Sequence, residues 1–138
     1  MKVDTALLCD AVSIREGLLH ILGGGITRIW VEQFPAAINA TLALRVLIGS
    51  DEAESPQGIN LLVQGPDGEE LGSFNLDFGV NAPEGADAAG EVPIPLAIPM
   101  QQVQLPAPGS YSIEVKVGDT IARSVRLEAA HRPQQQAG

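Results

Sequence analysis

Apolar side chains occupy every second position in a series of short runs. A glycine, a proline or an acidic cluster ends each run after roughly 8–12 residues, the spacing expected of strands joined by turns. A strand hides alternate side chains, whereas a helix would need apolar residues three and four apart. Only Ile38 to Ile48 leaves the choice open, because it is rich in Ala and Leu. There Leu42, Leu44, Val46 and Ile48 alternate with Thr41, Ala43, Arg45 and Leu47, and β-branched residues are frequent, so strand is preferred. The expected fold is all-β: an antiparallel two-layer β-sandwich.

The chain has 138 residues, enough for one domain that needs no metal or disulfide staple. Aromatic residues make up only 4%, so Leu, Ile, Val and Ala must fill the core. The lone cysteine, Cys9, lies in the apolar run Ala6-Leu7-Leu8 and reads as a small buried hydrophobe. No leader peptide and no membrane helix is read from the sequence, and the expected location is cytoplasmic. A net charge of −9 argues against nucleic acid and anionic membranes as partners, since phosphate binding needs clustered Lys and Arg.

Along the chain, Val3 to Cys9 reads as the first strand, broken at Asp10, with Ala11 to Ile14 open to continuing it after a kink, and with a tight turn at Arg15-Glu16-Gly17. Ile26 to Val31 follows the glycines at 23–25. Gly65-Pro66-Asp67-Gly68 is the clearest hairpin signal, and Phe74, Leu76 and Phe78 share the face of the returning strand that points inward. Pro93, Pro95 and Pro99 mark an edge strand. The last hairpin, around Gly118-Asp119, admits two registers. A two-residue turn sets Ile113 opposite Ser124. A three-residue turn sets Ile113 opposite Val125 and Val117 opposite Ile121, and needs a bulge near Arg123 to release that side chain. The second is preferred. Residues 1–128 are expected to form the domain and 129–138 a disordered polar tail.

Leu105-Pro106-Ala107-Pro108-Gly109-Ser110-Tyr111 resembles the tyrosine corner of immunoglobulin-like sandwiches. The resemblance implies that the Tyr111 hydroxyl bonds back to the backbone just upstream. The segment from Leu7-Leu8-Cys9-Asp10 through Arg15-Glu16-Gly17 and Gly23-Gly24 to Arg28 is similar to an uncharacterised bacterial family of small all-β proteins. That family implies a fold and carries no site.

Catalytic patterns are not found. His20 sits between Leu19 and Ile21, His131 lies near the end of the chain, and neither adjoins a nucleophile in sequence. No cofactor is implied. In a meander, the loop with Asp51, Glu52 and Glu54, the loop with Glu84, Asp87 and Glu91, and the turn with Asp119 would share one end. Their carboxylates could offer oxygen ligands to Ca²⁺. Leu47 and Leu62 fall on faces assigned to solvent and suggest a protein contact or self-association. The expected function is a non-enzymatic binding or structural module that meets a protein partner through a sheet face or its loops. A calcium- or small-ligand-binding module is the alternative.

Overall fold

The computed structural model describes residues 1–49, 57–78 and 90–133. They form eleven strands and no helix: β1 (Lys2–Arg15), β2 (Leu18–Gly24), β3 (Arg28–Val31), β4 (Ala36–Ala37), β5 (Thr41–Gly49), β6 (Gln57–Gln64), β7 (Glu70–Phe78), β8 (Glu91–Pro99), β9 (Gln104–Leu105), β10 (Gly109–Val117) and β11 (Thr120–His131). One sheet runs β2-β1-β5-β8, a second β3-β11-β10-β6-β7, and β4 pairs with β9 in a short third.

Both larger sheets supply one contiguous core. From the first come Leu8, Leu42, Leu44, Val46 and Ile48, and from the second Ile59, Leu61, Val63, Ile113, Val115 and Leu127. Alternation therefore decides burial, as the sequence pattern requires. Ser73, Asn75 and Asp77 of β7 face solvent, while Phe74 and Leu76 turn inward. Strand, not helix, is what forms around Ala43.

The proline-bearing segment is indeed an edge. Among the described residues β8 pairs only with β5, setting Pro93 opposite Leu47, Pro95 opposite Arg45 and Pro99 opposite Thr41. A proline has no N–H to donate, so these positions suit a strand with one unpaired side.

Four expectations need correction. First, Asp10 does not break β1. It is an exposed residue at the point where β1 exchanges one neighbour for another. Lys2 to Cys9 pair with β5, and Cys9 to Arg15 pair with β2. The carboxylate keeps its water there, so it imposes no burial penalty on the strand. Second, the pairing is not wholly antiparallel: β3 runs parallel to β11, with Glu128 opposite Arg28 and Ala130 opposite Trp30. Third, β11 continues to His131, past the expected end of the domain at residue 128. Ala129 is buried there, and the His131 ring packs edge-on against Phe34. Fourth, Leu47 and Leu62 are half-buried, not exposed.

The final hairpin combines features of both registers. A two-residue turn sets Val117 opposite Thr120 and Lys116 opposite Ile121. One extra residue, Ala122, then shifts the ladder so that Val115 faces Arg123 and Ile113 faces Val125. The bulge leaves Arg123 and Ser124 both exposed, which keeps the guanidinium out of the core.

The β1–β2 turn places Glu16 at φ 54° and Gly17 at φ 73°, the left-handed pair that a two-residue hairpin needs. Glycine adopts this conformation freely, but a glutamate does not. Glu16→Asn is expected to raise stability by about 0.5–1 kcal/mol, because asparagine tolerates that region better. A urea denaturation midpoint that falls or stays fixed would count against this account of the turn.

Candidate functional site

Of the residues proposed for a cation, Asp51, Glu52, Glu54, Glu84 and Asp87 lie outside the described residues. Asp119 sits exposed at the tip of the β10–β11 turn, and Glu91 opens β8 with its carboxylate 3.9 Å from the Lys2 ammonium. Among the described residues, no three of His, Cys, Asp and Glu gather in a way that could hold a metal ion.

The feature that most departs from a closed domain is the β1–β2 hairpin. Beyond Cys9, β1 pairs with β2 alone among the described residues, because β5 begins at Thr41 opposite Cys9. The two strands therefore run on as a ribbon. Cross-strand partners share a face, so Ala11 and Leu22, Ser13 and His20, and Arg15 and Leu18 lie on one side. Val12 with Ile21 and Ile14 with Leu19 lie on the other. Apolar residues thus occupy both faces. Leu22 is 71% exposed, Leu18 61% and Ile14 43%, among the few large apolar side chains that face solvent.

The root of the ribbon is held firmly. Gly25 and Ile26 both donate backbone N–H groups to the Leu8 carbonyl, each at 2.9 Å, as the chain leaves β2 for the other sheet. The Asp10 carboxylate lies over Gly23, whose φ is +60°. A β-carbon there would come within 2.8 Å of the Asp10 carboxyl carbon, which is why a glycine stands at that position. Cys9 is fully buried at the same level, its Sγ 3.5 Å from the Leu7 carbonyl oxygen.

Burial pushes the Cys9 thiol above its ordinary range. The Asp10 charge adds to this, and hydrogen bonds from the Gly25 and Ala43 backbones oppose it. A protonated, buried thiol reacts slowly. Cys9 is expected to label with a disulfide reagent at least about tenfold slower in the native chain than in denaturant. Equal rates would mean that the ribbon root is open.

Ser13 and His20 face each other, which puts a hydroxyl beside an imidazole. The side chains flanking them on that face are Ala11, Arg15, Leu18 and Leu22. None of these four is a carboxylate able to orient the ring, the third member that activates such a pair.

A second concave feature lies near the root. Asp10, Arg28, Trp30, Asn39 and Arg132 line a cleft of about 320 Å³ together with Ile26, Ile29, Val31 and Ala37. Trp30, the only tryptophan, is 47% exposed, and the Arg28 guanidinium lies 5.4 Å from its ring centre. Arg28 also bonds Glu128 at 3.1 Å, and Arg132 lies 3.6 Å from Glu32. Both cations are thus partly neutralised, and the cleft presents a planar aromatic wall more than a positive one.

The protruding ribbon was not foreseen from the sequence. Its signal was present, since Leu18 to Leu22 is an apolar run with no charged residue on either face. The described residues contain no helix long and apolar enough to cross a membrane. Residues 4–130 match the model of a family described as "Family of unknown function (DUF6941)", and the chain belongs to that family. No curated protein matches the chain.

Proposed function

We propose that this member of the family is a non-enzymatic binding module, an immunoglobulin-like two-layer sandwich that presents its β1–β2 hairpin to a protein partner. The observation that carries the reading is the pair of leucines, Leu18 and Leu22, held out on a two-stranded ribbon. Apolar side chains displayed on the outside of a hairpin lose solvent contact only when something covers them.

The sandwich reading draws on the single core shared by the two larger sheets. Its immunoglobulin-like character draws on Tyr111, whose hydroxyl donates to the Ala107 carbonyl and accepts from the Ala107 N–H at 3.3 Å. A cytoplasmic setting fits the free thiol of Cys9.

The test is capture from a native lysate with the wild-type chain and with a Leu18→Lys/Leu22→Lys variant. Both substitutions fall on exposed side chains and should leave the fold intact, which far-ultraviolet circular dichroism checks. A partner retained by the wild type and lost by the variant supports the reading. Identical captured proteins with both chains overturn it.

A further inference from the structure

We propose that β2 is a pairing edge and that its occupant is β2 of a second copy of this chain, joined antiparallel across a two-fold axis. The inference rests on the hairpin being the contact surface, and it names what that surface contacts.

An edge strand leaves a row of N–H and C=O groups without ladder partners, a template for another strand. The outer strands of the two larger sheets differ in how they are guarded. β8 carries Pro93, Pro95 and Pro99; β7 carries Glu70 and Asp77; β3 is only four residues long and carries Arg28. β2 is seven residues, Leu-Leu-His-Ile-Leu-Gly-Gly, with no proline, lysine, arginine or carboxylate. Its side chains include none of the prolines or charges by which an edge is kept from pairing.

The strand also complements itself. A two-fold axis perpendicular to a sheet returns each side chain to its own face. A register centred on His20 then sets Leu18 opposite Leu22 of the second copy, and Leu19 opposite Ile21 of the second copy. Each of these pairs occurs twice, so the Leu19–Ile21 face of the joint is apolar, and the other face sets two leucine pairs on either side of a central His20 pair. It covers Leu18 and Leu22, the two most exposed large apolar side chains among the described residues.

Charge points to the same place. Two copies of a chain with net charge −9 repel, and their contact belongs where carboxylates are scarce. From Ala11 to Gly24 the charged residues are Arg15 and Glu16, one of each sign. The ribbon is therefore close to neutral within an acidic molecule.

The experiment uses the purified full chain. Its mass is measured by light scattering across a dilution series, for wild type and for Leu18→Lys/Leu22→Lys. Backbone hydrogen exchange of the wild type is followed at high and low concentration. The expected mass at high concentration is twice the 14.4 kDa of the chain. The variant should weaken association by a factor of about 10 or more, because four lysines would crowd the joint. Exchange within Leu18–Gly24 should slow as concentration rises, and this readout needs no variant.

A wild type of single-chain mass throughout overturns the proposal. So does a dimer that the variant leaves unchanged, or one formed with no concentration-dependent protection in β2. If the purified chain is monomeric while lysate capture still depends on Leu18 and Leu22, self-pairing fails and the partner reading stands. If neither measurement depends on those residues, both fail.

Discussion

Leu44→Ala is expected to lower the free energy of unfolding by about 3 kcal/mol. Leu44 lies in β5, the strand flanked by β1 and β8, and it has no solvent exposure. Its cross-strand neighbours are Ala6 and Leu96, and across the core it meets the buried faces of the second sheet. Ala6 is small and strands on both sides hold the backbone, so little can move to fill the vacated space. Lost transfer energy and a residual cavity then both contribute. For a domain stable by roughly 5–15 kcal/mol this is a large fraction. Urea denaturation should show a lower midpoint with an unchanged slope. A loss below about 1 kcal/mol would mean that Leu44 is not part of a close-packed interior.

Tyr111→Phe is the second change with a large expected effect, about 1–2 kcal/mol. The ring is buried and stays in place, so the variant removes only the hydroxyl. That hydroxyl closes the segment before β10 by bonding both the carbonyl and the N–H of Ala107. Ala107 is exposed, and water can replace part of what is lost, which holds the cost to the modest range of a single hydrogen-bonded group. The same segment contains Gly109 at φ +153°, where a β-carbon would come within 2.7 Å of Pro66 Cγ. The turn before β10 is therefore fixed from two sides, by a polar tether and by a close approach to the β6–β7 turn. A stability change under about 0.3 kcal/mol for Tyr111→Phe would show that the tether is dispensable.

Period-two alternation made most strands legible, because each strand buries one face and the pattern follows directly from the pleat. β5 and β10 are the clearest cases. The prolines of β8 announced an edge for an equally local reason. What the sequence concealed was pairing between distant segments. Nothing in Arg28 to Val31 says that it runs parallel to β11, since both directions use the same alternation. The single-residue bulge at Ala122 was sensed only as a conflict between two registers, because the turn favours one and the core the other. The ribbon was missed because an apolar run on an edge strand looks like one inside a sheet until its neighbours are known. Of the carboxylates considered for a cation, Glu91 and Asp119 lie among the described residues, one at the start of β8 and the other in the β10–β11 turn, and sequence spacing does not fix how loops at one end of a sandwich approach each other.

The prolines of β8 have a numerical consequence. A sheet sealed along one margin and open along the other can accept a single addition. If that addition is an identical sheet turned through half a revolution, the open margins meet each other and both sealed margins end up outermost. Growth stops at eight strands and two molecules, and along this direction the arrangement has no route to a fibre.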